Sequence, residues 1–254
     1  MRIDLVTLFP EMCEAFLGDS IIARARKKGA LQICYHHIRD YAFNKHNRID
    51  DCPFGGGKGM LIMAEPVAKC LDALIEHLGK KPHVVYMSPQ GTVLTQKKAK
   101  ELSEHENLAI LCGHYEGIDE RVLERYVDEQ VSIGDYVLTG GELPAMVLTD
   151  TVSRMVEGVL SEDICFMEES HYNGLLEYPH YTRPAVWRGM EVPEVLLTGH
   201  HANSEKWRRE QSLLRTLHCR PDMLETAPLT EKDQAFLLAL QKNMAQGNIS
   251  ETKA

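Results

Sequence analysis

Five short apolar segments separated by helix-like stretches fill the first 160 residues, and this alternation restricts the fold more than any other feature. The segments cover 3–9, 31–38, 83–87, 108–112 and 130–133, each bounded by turn residues. Between them, residues 65–78 place Val67, Leu71, Leu74, Ile75 and Leu78 on one stripe, and Gly79 supplies the stop. Residues 21–28 follow Ser20 as an expected N-cap and end on basic residues and Gly29, as the helix dipole favours. Strand–helix alternation of this kind predicts an α/β fold with a mostly parallel sheet covered on both faces.

The pattern lapses at 161–178, where SEDICFMEESHYNGLLEY is polar, acidic and without sustained period. This segment is expected to be an interdomain linker. Beyond it, Ser204 precedes a helix expected over 205–217, and Thr230 with Asp233 makes a capping-box start for a helix through 244. The expected division is therefore a domain at 1–160, a linker at 161–178, a small helical domain at 179–246 and a fraying tail at 247–254.

Seven cysteines lie far apart, at 13, 34, 52, 70, 112, 165 and 219, and no C-x-x-C pair suggests zinc or a redox site. They read as reduced. The N-terminal apolar run is broken at Asp4, too early for a signal peptide, and no stretch approaches a membrane span. A cytoplasmic location is the expectation. The net charge of −9 argues against a nucleic-acid partner, yet binding responds to the local field, and the charge is uneven. Residues 21–48 carry seven Lys or Arg against Asp40, and residues 180–220 carry seven more against four Glu.

Three glycine-containing loops follow apolar strands: YMSPQG (86–91), LCGHYEGIDERV (111–122) and SIGDYVLTGGELPAM (132–146). In α/β sheets, loops at the carboxyl ends of the strands form the ligand crevice. A dinucleotide fingerprint is absent, because Gly134 and the Gly140-Gly141 pair do not have the G-x-G-x-x-G spacing. CPFGGGKGM (52–60) is not a phosphate loop either, since Gly59 follows Lys58 where a magnesium-binding hydroxyl is required. Tyr86, Tyr115, Glu116, Asp135 and Tyr136 can instead grip an adenine or ribose edge and an ammonium group.

These loops, together with VTLFPEM, DDCPFGGGKGM, DTVSRMVEGVL, PHYTRP and the stretch around KWRREQSLLRT, resemble the bacterial tRNA (guanine-N1)-methyltransferases of the SPOUT class over nearly the whole chain. The resemblance implies a deep trefoil knot in the N-terminal domain, S-adenosylmethionine as methyl donor, and methylation of N1 of guanosine 37, immediately 3′ of the anticodon. It also implies a homodimer whose active sites are shared between subunits, no membrane association, and a possible magnesium requirement with no metal-ligand set of the chain's own. The cofactor residues it carries over are Tyr86, Met87, Pro89, Gly113, Tyr115, Glu116, Ser132, Ile133, Gly134, Asp135, Tyr136, Val137, Leu138, Gly140 and Gly141. Those for tRNA are Gly59, His180, Arg183, Arg188, Lys206, Arg208, Arg209 and Arg215.

Removing the N1 proton of guanine requires a positioned base, and the charge that builds on O6 requires a cation. By resemblance Arg154 takes the O6 role, and the base is a linker aspartate; here the matching residues are Glu168, Glu169 and Ser170, which makes Glu169 the expected base. Met87 and Glu177 stand where relatives often have Leu and Asp. A related enzyme acting on another RNA, or a non-catalytic RNA-binding module, is the alternative reading, though PHYTRP and the cofactor loops fit these less well.

Overall fold

The computed structural model describes residues 1–160, 164–167 and 169–245, which divide into two units between 163 and 164. The N-terminal unit runs β1 (Arg2–Thr7), α1 (Pro10–Leu17), α2 (Ser20–Lys28), β2 (Gln32–His37), β3 (Asp50–Asp51), β4 (Leu61–Ile62), α3 (Ala64–Leu78), β5 (His83–Val93), α4 (Gln96–Ser103), β6 (Asn107–Cys112), α5 (Glu120–Tyr126), β7 (Glu129–Ser132) and α6 (Glu142–Ser153). The five expected strands make one sheet in the order β2-β1-β6-β5-β7, and every pairing in it is parallel.

Period-two alternation sends successive residues of each strand to opposite faces. Leu108 and Ile110 join one core with Leu17 and Leu148, whereas Ala109 and Leu111 join the other with Leu71 and Leu74. Both faces are therefore covered, as the alternation predicts.

Local signals account for the helix ends, with two corrections. β1 stops at Thr7, two residues early, because Phe9 caps α1 and Pro10 occupies its first turn. α2 starts at Ser20 and is capped by Asp19, whose Oδ1 accepts from the Ser20 N–H at 2.6 Å. The expected Ser20 cap is displaced by one residue, since the aspartate has the extended backbone that a cap requires.

The C-terminal unit comprises α7 (Ile164–Met167), a short hairpin of β8 (Val186–Trp187) and β9 (Met190–Glu191), α8 (His201–Cys219) and α9 (Glu231–Ala245). Its core is small: Leu175, Leu213 and Leu237, flanked by Leu217, Leu224 and Phe236. Leu175 comes from the segment expected as linker, and the Leu176 N–H donates to Thr216 Oγ1 at 2.8 Å, so residues 169–178 pack as part of this unit. α8 begins four residues ahead of expectation. Ser204 therefore lies inside it, and its hydroxyl donates to the Val195 carbonyl. The capping box at α9 forms as read: the Asp233 N–H donates to Thr230 Oγ1 at 3.2 Å, and the Thr230 N–H donates to Asp233 Oδ2 at 2.8 Å. The expected tail lies outside the described residues. Among the described helices, none is long and apolar enough to cross a membrane.

Candidate active site

β5 loses register between Met87 and Thr92, pairing with β7 on both sides of the break. At this break Tyr86, Met87, Ser88 and Pro89 line one side of a cavity of about 230 Å³. The loop after β6 and the loop between β7 and α6 form the rest. Every expected cofactor residue lines this cavity except Asp135, which is exposed beside it. Ser88, His114, Gly117, Val131, Thr139 and Pro144 line it as well. All but Val131 lie within the three quoted loops and Val131 adjoins Ser132, so proximity in sequence was the available signal.

The two later loops meet backbone to backbone. The Gly141 N–H donates to the Gly113 carbonyl at 2.7 Å, and a Cβ at 141 would stand 2.7 Å from Gly113 N and 2.8 Å from Cys112 Cα. Only glycine permits that approach. Among the described residues no Lys or Arg lines the cavity, and the charged or ionisable polar groups there are Glu116, His114 and the tyrosines. Such a lining disfavours a polyphosphate.

Beneath this wall lies a buried carboxylate. Glu142 opens α6, where the helix dipole favours an anion, and its Oε1 accepts from Thr7 Oγ1 at 2.8 Å. His114 Nδ1 is buried 3.9 Å from Glu142 Oε2. Burial, then the nearby Glu142, pushes the Cys112 thiol far up, and burial raises Cys13 to about 11. Both cysteines are therefore un-ionised near neutral pH and poor nucleophiles. Burial also raises Tyr86, keeping its phenol a neutral donor.

The 52–60 loop hangs from the β3–β4 pair and abuts the cavity, because the Glu116 N–H donates to the Met60 carbonyl at 3.0 Å. Gly59 has φ +91°, and a side chain there would overlap Glu116. A bare backbone is thus presented at the rim. In the same unit, Arg154 follows the last turn of α6, its N–H donating to the Asp150 carbonyl.

In the C-terminal unit, Glu169 borders a cavity of about 290 Å³ shared with Arg208 and Arg209. Glu168 lies outside the described residues. Glu177 accepts from His180 Nε2 at 2.8 Å. The basic residues divide by their contacts. Arg209 holds Asp233 at 2.9 Å, and Arg215 donates to the Glu177 carbonyl at 2.9 Å, so both guanidinia brace the unit. Arg183, Arg188, Lys206 and Arg208 are exposed, Arg188 over Trp187 and Arg208 over Tyr178. Among the described residues no group of three His, Cys, Asp or Glu is arranged to hold a metal.

The comparisons with known proteins agree with one another. A family model described as tRNA (Guanine-1)-methyltransferase TrmD matches residues 1–226. A tRNA (guanine-N(1)-)-methyltransferase of Ruminiclostridium cellulolyticum is 59% identical over 228 residues, covering 90% of this chain and 98% of its own. One from Desulforamulus reducens is 53% identical over 254 residues, covering all of both chains, and one from Staphylococcus epidermidis is 49% identical over 246 residues, covering 96% and 99%. By the extent of these matches, the chain belongs to the tRNA (guanine-1)-methyltransferase family.

Proposed function

We propose that this protein is a cytoplasmic methyltransferase that moves a methyl group from S-adenosylmethionine to N1 of guanosine 37 in tRNA. The observation that carries this reading is the single cavity made by three glycine loops without a Lys or Arg in its lining, on a chain of this family. When bound, adenosylmethionine supplies an electrophilic methyl on sulfur. The chain's own residues do the rest. The backbone amides and carbonyls of the 113–117 and 132–141 loops present fixed hydrogen-bonding groups to the nucleoside, and Met87, Ile133 and Leu138 offer apolar contact. Holding two substrates in register supplies much of the acceleration.

Glu169 takes the N1 proton of guanine, and Arg154 lies against O6 as negative charge builds there. The loop at Gly59, bare and next to Glu116, is where a guanine edge can approach the backbone. Arg183, Arg188, Lys206 and Arg208 meet tRNA phosphates, with His180 alongside; Arg209 and Arg215 contribute by holding the unit in shape.

The working form is a homodimer, in which the C-terminal unit of one protomer serves the cofactor cavity of the other. Support comes from an apolar face where α1 and α6 lie side by side, with Phe9, Met12, Phe16, Leu143 and Val147 all exposed. Apolar patches of this kind mark association surfaces. The reading also includes the trefoil knot, supported by the backbone-to-backbone passage of the 133–141 loop against Gly113.

Incubation with methyl-labelled adenosylmethionine and an unmodified tRNA transcript, followed by nucleoside analysis, tests the reaction. One-methylguanosine at position 37 is the expected product. Label in another nucleoside, or none, would remove the assignment.

A further inference from the structure

The C-terminal unit keeps its largest polar rings out of its core. Tyr178, Tyr181 and Trp207 are absent from the leucine cluster and instead border a cavity of about 350 Å³. One wall is the 178–181 segment; the other is the first half of α8, where His201, Ser204 and Arg208 follow helical spacing on one face. Tyr181 and Trp207 have ring centroids 6.3 Å apart, inclined at 52°. Tyr178 and His180 are 4.7 Å apart, and the Arg208 guanidinium lies 5.1 Å from the Tyr178 ring centre.

Rings placed around a cavity, each with a polar edge, present stacking faces to a flat heteroaromatic guest. The cationic and ionisable groups facing it are Arg208, His201 and His180, the last already bonded to Glu177, and the acid is Glu205. Arg208 can pair with a phosphate, while Glu205 can accept from an exocyclic amino group. An apolar peptide side chain would leave that arginine and glutamate without matching groups, so nucleic acid fits better than a protein segment.

We propose that this cavity is a subsite for one unpaired base of the bound tRNA, stacked on Trp207 with the inclined Tyr181 ring against its edge and Arg208 on its phosphate. The proposal rests on the tRNA reading above and deepens it: the C-terminal unit reads an unstacked nucleotide as well as the backbone.

The chain has two tryptophans, Trp187 and Trp207, so Trp187→Phe leaves Trp207 as the sole indole reporter. Titrating that variant with unmodified tRNA transcript should quench Trp207 emission in step with binding followed by filter retention. Trp207→Ala should weaken tRNA binding about fivefold or more. Trp207→Phe should recover most of the loss, and adenosylhomocysteine binding by calorimetry should be unchanged in both. Transcript that binds without altering Trp207 emission, or that binds Trp207→Ala as tightly as the native chain, overturns the subsite while leaving the methyl-transfer reading in place. Native chain that binds no tRNA overturns both. Equal quenching by free nucleoside monophosphates at the same concentration would identify a free-nucleotide site and also overturn the proposal.

Discussion

The two units solve the problem of stability differently. The N-terminal unit buries two apolar layers on a five-stranded sheet, and three glycine-containing loops line its cavity. Among its described residues, the C-terminal unit has a core cluster of three buried leucines and leans on polar contacts: Arg209 with Asp233, Asp233 with Thr230, and Thr216 with Leu176. A deep core can hold loops in fixed positions, which suits a ligand cavity made of loops. A shallow core exposes long side chains, and these suit an extended, charged RNA.

The largest effect that would break this contrast concerns the base. Glu169→Gln keeps the shape and removes the proton acceptor, so single-turnover methyl transfer should fall about a hundredfold or more while cofactor and tRNA affinity hold. If instead Glu177→Gln is slow and Glu169→Gln is normal, the role belongs to Glu177. Glu169→Asp, which keeps a carboxylate one methylene shorter, should keep activity.

Next comes the backbone site. Gly141→Ala puts a methyl against Gly113 N and Cys112 Cα. Repositioning either loop should cost about 1–3 kcal/mol, seen together in urea melts and in adenosylhomocysteine calorimetry. A variant that binds normally would mean that the loops are not rigidly placed.

For the C-terminal unit the matching probe is Asp233. Its hydrogen bonds from Arg209 outweigh burial and, with those from Thr230, hold the carboxyl at about 2 against an ordinary 3.8. A depressed folded value stabilises the unit above the unfolded value and loses that contribution as pH falls from about 4 to about 2. Asp233→Asn should cost about 1–2 kcal/mol at neutral pH and flatten acid unfolding across that window, read by circular dichroism of unit-specific helix loss. Unchanged acid sensitivity would assign the unit's stability to its leucines alone.

The smallest effect is at the surface. Arg208→Gln should lower the slope of log affinity for tRNA against log salt by about one, with little change in melting. Arg209→Gln should do the reverse, destabilising the unit through Asp233.

Much of the N-terminal unit was legible because its strands are short, apolar and bounded by turns. Their parallel order and the glycine loops follow from that alternation. The register break in β5 was not legible, since residues 88–91 look like an ordinary loop and only pairing with β7 reveals strand on both sides. Nor was the Thr7–Glu142–His114 contact, whose members lie up to 135 positions apart. In the C-terminal unit, charge alone could not show that Arg209 contacts Asp233 and Arg215 the Glu177 carbonyl while Arg208 lies over Tyr178, because such fold contacts have no sequence signature. Contacts made on folding distinguish them.

The division of labour itself is tested most directly in mixed dimers. A side chain at 113 would meet the Tyr86 hydroxyl at 2.6 Å, so Gly113→Trp should disable the cavity of the N-terminal unit; Glu169→Gln leaves that cavity and removes the proposed base. Each variant alone should be inactive. Co-expressed and purified as a mixture, they should recover about a quarter of native methylation, because half of the dimers then hold one intact pairing of cavity and base. Verified mixed dimers with no activity would contradict the claim that one protomer's C-terminal unit serves the other's cofactor cavity.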